Sequence, residues 1–113
     1  NALPHLHLCA AARIVQFGAD HYLKAGTPNS PGTKLLSVSG DCRLPGIYEI
    51  PMGTTVAELI AVAGGVSGGR ALKAFAPGGA SSHFLPADRV DTPMDFDALA
   101  EAGSMMGSGA LVV

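Results

Sequence analysis

Two cysteines, four histidines and nine carboxylates are the residues of this 113-residue chain with side chains able to do chemistry. A metal site needs three or four such ligands converging from fixed spacings. His5 and Cys9 stand at i, i+4 and share a helix face, whereas His7 lies on another, so this stretch offers two ligands at most. No second cysteine or histidine falls at ligand spacing, and none of the C-x-x-C arrangements that hold iron–sulfur clusters occurs. His5 and His7 are read as solvent-facing or as part of an interdomain surface. Cys42 reads as a small half-buried residue, because a redox role would need cations to lower its pKa and Arg43 alone stands beside it.

Glu49, Glu58, Asp95, Asp97 and Glu101 invite an acid–base reading. Asp95 and Asp97 flank Phe96 at a helix start, where carboxylates cap free N–H groups and favour the positive end of the dipole, and capping accounts for both. No serine, histidine and carboxylate form a nucleophile elbow, and no lysine sits in a strongly apolar run as an activated amine would. No catalytic, cofactor-binding or metal-binding residue is therefore assigned. Met94, Met105 and Met106, near Leu99, read as core filling, since methionine adapts to irregular gaps.

Two glycine-rich stretches remain. Gly64-Gly65-Val66-Ser67-Gly68-Gly69 could bring backbone N–H groups against an anion. A phosphate cradle, however, runs strand, glycines, helix, and here the glycines come after a helix, so the stretch reads as a helix stop with Gly64 at positive φ. The loop Pro77 to Ser82 offers the hydroxyls of Ser81 and Ser82 beside Gly78 and Gly79. It is either a contact surface or a tight turn whose serines bond their own backbone.

The elements that must position these residues are set by pattern. Leu6, Cys9, Ala10, Ile14, Phe17 and Leu23 approach i, i+3, i+4, i+7 spacing, which predicts a helix over Leu3 to Lys24. The prolines and glycines of Gly26 to Gly32 predict a linker without regular structure, leaving the helix and the downstream segment as separate units. Lys34 to Gly40 and Ile47 to Ile50 have strand composition around the turn Leu44-Pro45-Gly46, a hairpin. Thr54 or Thr55 then caps a helix over Val56 to Ala63. Ala71 to Ala76 is expected as a strand with Leu72, Ala74 and Ala76 facing inward and Lys73 and Phe75 outward. His83 to Pro86 is a short extended piece, Asp95 to Ala102 a second short helix, and Ala110 to Val113 a closing strand.

The wording SGxxxxPGIYExPxGTT from Ser39 to Thr55, the loop Ala76-Pro77-Gly78-Gly79-Ala80-Ser81-Ser82, and MDFDxLxxxGSMxGSG from Met94 to Gly109 occur in that order. Together they resemble the soluble-ligand-binding β-grasp (SLBB) domain in the NADH-binding flavoprotein subunit of respiratory complex I. Its relatives include the diaphorase subunits of NAD-reducing hydrogenases and NAD-dependent formate dehydrogenases; the pair Asp41-Cys42 is more similar to those branches. The resemblance runs from about Phe17 to Val113. It implies an α+β, ubiquitin-like β-grasp fold, a mixed sheet with one packed helix, preceded by an N-terminal helix bridging from a flavin domain. It implies that the parent subunit binds NAD(H) and FMN before this segment and a [4Fe–4S] cluster after it, that no cofactor lies in this segment, and that the role here is structural rather than catalytic. Implied partners are those flanking domains and other subunits of a cytoplasmic oxidoreductase complex. Gly78, Gly79, Ser81, Ser82, Gly107, Ser108 and Gly109 are the candidate contact residues. The alternative is a small-soluble-ligand-binding module of the polysaccharide-export or cobalamin-binding type.

Bulk properties agree with one domain of ordinary size. The net charge of −2 argues against a nucleic-acid binder. No apolar run reaches the roughly 20 residues of a membrane span. Residues 1–26 are assigned to a tag remnant (Asn1-Ala2) and the interdomain helix, 27–33 to the linker, and 34–113 to the SLBB β-grasp domain. The helix's apolar face is expected to pair with a second copy when the segment is alone.

Overall fold

A computed structural model describes residues 3–113; Asn1 and Ala2, read as a tag remnant, lie outside the described residues. Helix α1 spans Leu3–Phe17 and helix α2 spans Ala19–Leu23. The single helix expected over Leu3 to Lys24 is thus broken at Gly18, whose φ of 87° leaves the helical region. Only glycine enters that region without steric cost, so periodicity continues past a residue that turns the chain.

The segment between α2 and the sheet is irregular, as its prolines require, and hydrogen bonds hold it. Thr27 and Ser30 exchange backbone hydrogen bonds of 3.0 and 3.2 Å, and the Thr27 hydroxyl also accepts from Ser30 N. Gly32 N donates to Ala25 O, and Gly32 O accepts from Met52 N, so the loop is tied on both sides. Alanine at Gly32 would collide with the Tyr22 ring and hydroxyl.

Strand β1 (Thr33–Ser39) pairs antiparallel with β2 (Gly46–Pro51) and parallel with β5 (Ala110–Val112), giving the order β2-β1-β5. A hairpin followed by a helix, with a later strand parallel to the first, is the mixed β-grasp arrangement expected. Helix α3 (Val56–Val62) starts at Thr55, whose hydroxyl accepts from Glu58 N while the Glu58 carboxylate accepts from Thr55 N. This reciprocal pair satisfies two otherwise orphaned donors. Val56, Leu59, Ile60 and Ala63, one stripe at i, i+3, i+4, i+7, are buried against Leu36, Val38, Ile50 and Leu111 of the sheet. Each large apolar side chain so placed is worth about 1.5–3 kcal/mol.

Gly64 and Gly65 have φ of 82° and 79° and end α3 as expected. The turn also closes the hairpin end: Arg43 N donates to Gly65 O, Leu44 N to Ala63 O, and Ser67 N to Asp41 O. Cys42 lies within this closure and is buried in the core, not half-exposed.

The strand expected over Ala71 to Ala76 shrinks to β3 (Ala74–Phe75), paired with β4 (Leu85–Pro86). Pro86 has no N–H to extend that ladder. Phe75, expected outward, is fully buried, and so is Ala76. Alternation fails because the strand is only two residues long: Phe75 enters the core, while Ala76 exchanges two hydrogen bonds with Val112 and joins the small pair to the main sheet. Helix α4 (Phe96–Glu101) is capped by Asp95, whose carboxylate accepts from Ala98 N at 2.7 Å. Asp97 is not a cap; it faces out and accepts from Asn29 Nδ2 at 3.2 Å. Met94 and Met106 fill the core with Met52, whereas Met105, expected inside, is exposed.

Candidate functional site

The loops at 77–82 and 104–109 are distant in sequence but form one structure. An alanine Cβ at Gly78 would lie 2.5 Å from Met105 O and 3.0 Å from Met106 C, so the two backbones touch directly there. At Gly107 it would lie 3.1 Å from Gly78 O. Ser82 is buried; its hydroxyl accepts from Gly78 N at 3.0 Å and donates to Gly79 O at 2.8 Å. The serine thus holds the turn in which it sits. A second hydroxyl joins the loops, Ser104 donating to His83 O at 2.7 Å.

The second loop is anchored to the sheet. Gly109 O accepts from Ser37 N, and an added Cβ at Gly109 would lie 2.6 Å from Leu36 Cδ2. Of the candidate residues, Gly78, Gly79, Ser82 and Gly109 are therefore buried in this seam, while Ser81, Gly107 and Ser108 form its outer surface. Phe84 (66% exposed) and Met105 stand exposed on the segments that the Ser104–His83 bond joins. Sequence reasoning passes over Phe84, although a phenylalanine beside a proline-terminated two-residue strand has little sheet to pack on. This region offers a rigid surface of hydroxyls and apolar groups with no acid–base pair.

The other chemical candidates are scattered. The His5 side chain lies outside the described residues; Cys9 is exposed and Cys42 buried, so they do not come together. Among the described residues no three histidines, cysteines or carboxylates converge as a metal site would require. Asp41 and Arg70 form an exposed ion pair at 3.3 Å, a contact worth little in water. A cleft of about 260 Å³ lies between α1, α2 and the sheet, with Arg13, His21, Tyr22, Thr33 and Glu49 in its walls. The i, i+4, i+8 spacing of Arg13, Phe17 and His21 is its visible signal in the sequence.

The hairpin, the enclosed helix, the parallel closing strand and the interlocked loops define a β-grasp module with a rigid loop seam. Residues 35–84 match the SLBB domain family. Over 107 residues it is 44% identical to the NADH-quinone oxidoreductase F 2 subunit of Rhizobium meliloti (strain 1021), an alignment covering 94% of this chain and 25% of that protein. It is 40% identical over 106 residues to the F subunit of the Mycobacterium tuberculosis (strain ATCC 25618 / H37Rv) enzyme, covering 94% and 24%. It is 38% identical over 102 residues to the F subunit of the Escherichia coli (strain K12) enzyme, covering 89% and 23%. The crystal structure of an NAD+-reducing [NiFe]-hydrogenase in the air-oxidized state superposes with a TM-score of 0.74 at 33% identity, covering 92% of this chain and 17% of that one. The chain is thus homologous to a segment of the F subunits and spans about a quarter of their length. Among the described residues no helix is long and apolar enough to cross a membrane.

Proposed function

We propose that this chain is the β-grasp segment of a cytoplasmic flavoprotein subunit that exchanges electrons between NAD(H), FMN and a [4Fe–4S] cluster, and that it serves there as a spacer. The homology over 94% of the chain to an NADH-quinone oxidoreductase subunit carries this reading. The residues described do not fit the cofactors themselves: no ligand set for a cluster converges, and in the glycine run Gly64 and Gly65 end α3 while Gly68 and Gly69 form a separate turn. No electron step is routed through this chain.

What its residues supply is rigidity. Electron transfer depends on cofactor separation, so a connecting module must not bend. The backbone contact of Gly78 with Met105 and Met106, the Ser82 turn and the Ala76–Val112 pairing tie the end of β3, β5 and both loops into one body. Ser81, Gly107 and Ser108 are the residues we assign to contacts with the flanking domains, with Phe84 and Met105 as apolar neighbours. On α1, Leu8 and Val15 are 70% and 88% exposed and give a further packing face, through which the isolated segment would also self-associate. The Asp41-Cys42 pair favours the branch of NAD-dependent formate dehydrogenases and NAD-reducing hydrogenases.

Two measurements test the reading. The purified 113-residue chain, given NADH, FMN and ferricyanide, is expected to show no turnover; turnover above the flavin-only background would overturn the spacer role. The coding DNA on either side is expected to encode a flavin domain upstream and four cluster cysteines downstream; an export-type neighbour would refute the assignment.

A further inference from the structure

The cleft between α1, α2 and the sheet has two walls of opposite charge. On the helical wall the Arg13 guanidinium lies 4.7 Å above the Phe17 ring, and His21 packs on the same ring with centroids 5.1 Å apart. Phe17 therefore holds both nitrogen-bearing side chains in place, through the break at Gly18. Cation–aromatic contacts of this kind fix a guanidinium without using up its N–H donors. On the sheet wall Thr33 Oγ1 donates to Glu49 Oε1 at 2.8 Å, which fixes the carboxylate and leaves Oε2 as an acceptor. Between the walls the floor is apolar, formed by Ala10, Ala25 and the Tyr22 ring packed on Gly32.

We propose that this cleft binds a small zwitterion, an α-amino acid with a short branched apolar side chain, with its carboxylate on Arg13 and its ammonium on Glu49. Charge order decides the class. A simple anion would gain Arg13 but meet the Glu49 carboxylate, and a simple amine would meet the reverse conflict. A molecule carrying both charges a few bonds apart satisfies both walls, and its apolar side chain covers the alanine floor. The volume of about 260 Å³, below the roughly 300–1,000 Å³ typical of drug-sized sites, matches a small ligand of this kind. The site is separate from the spacer role and from the family match, since Glu49 is the one lining residue within 35–84. Because the walls belong to different elements, an occupant would also bind α1 to the sheet.

The test is a titration of the ¹⁵N-labelled 113-residue chain with L-leucine, monitored by amide shifts. Saturable shifts are expected at Ala10, Tyr22, Gly32 and Thr33 and not at Arg43 or Ser81, with Kd of about 1 mM, as suits so few contacting atoms. Isocaproate, lacking the ammonium, and isoamylamine, lacking the carboxylate, are expected to bind about tenfold more weakly, the loss of one hydrogen-bonded charge. Equal binding of isocaproate and leucine would overturn the zwitterion assignment, and absence of any saturable shift would overturn the site. Arg13→Gln and Glu49→Gln should each weaken leucine about tenfold, and Arg43→Gln should not change it. Glu49→Gln leaves α1 intact, so unchanged affinity in that variant also counts against the proposal. As an independent readout, leucine should slow alkylation of Cys9 at the cleft rim.

Discussion

Substituting Gly78 by alanine measures the contact on which the spacer role rests. Gly78 is not among the glycines of positive φ, so alanine there incurs no backbone strain and meets sterics alone. The obstructing atoms, Met105 O at 2.5 Å and Met106 C and O at 3.0 Å, belong to backbone and cannot rotate away. Met106 is buried in the core and Gly109 is wedged on Leu36, so the second loop cannot retreat without disturbing both. Overpacking of this kind costs about 1–3 kcal/mol, and the rigid obstacle points to the upper half. Two further glycines calibrate it. Gly65 has φ of 79° with nothing within 4 Å, so alanine there costs only the left-handed term of about 1–2 kcal/mol. Gly109, with φ of 82° and Leu36 Cδ2 at 2.6 Å, suffers both effects, about 2–5 kcal/mol. Urea midpoints should therefore fall for all three variants, most for Gly109→Ala. A Gly78→Ala protein within about 0.5 kcal/mol of the parent, the scatter of ordinary surface changes, would refute direct backbone contact between the loops.

Three other outcomes are expected from the same structure. Ser82→Ala strips the buried Gly78 N–H of its acceptor and should cost about 1–3 kcal/mol by urea denaturation, with Ser81→Ala near neutral. Phe75→Ala should cost about 3–5 kcal/mol, a large part of the roughly 5–15 kcal/mol that holds a domain together, and should show as a much lowered melting temperature. In a thiol assay with a chromogenic disulfide, Cys9 should react at once and Cys42 only after denaturant is added; two fast thiols would contradict the burial of Cys42.

The fold is legible where a local signal and its tertiary use coincide. The hairpin around Pro45-Gly46, the capping box of Thr55 and Glu58, and the glycine stop after α3 are each written within a few residues, and each appears where expected. The errors lie where a distant partner decides. Alternation places Phe75 outward because it assumes one regular strand over Ala71 to Ala76, whereas only Ala74 and Phe75 form a strand with β4 and the following Ala76 pairs instead with Val112. Gly18 breaks a helix whose apolar spacing runs on without change, because periodicity reports which face is apolar and not whether the axis continues. Asp97 resembles a cap because it stands in a first turn, but Asp95 already serves Ala98 N, and Asn29 from the supposed free linker takes Asp97.

The candidate site divides along the same line. That Pro77 to Ser82 is a tight turn can be read from its own residues, and the buried Ser82 hydroxyl completes that reading. That this turn rests on Met105 and Met106 cannot, because nothing near Gly78 in sequence states what will lie 2.5 Å from its absent side chain. A glycine chosen for φ marks itself by turn context; a glycine chosen for close approach is silent until the second backbone is known. Gly78 is of the second kind, so the rigidity we assign to the module is a property of a contact between two loops that sequence pattern alone keeps separate. The charged cleft obeys the same rule: Arg13, Phe17 and His21 announce a ladder by spacing, but only the folded chain brings Glu49 of β2 into the same cleft and makes the ladder one wall of a site.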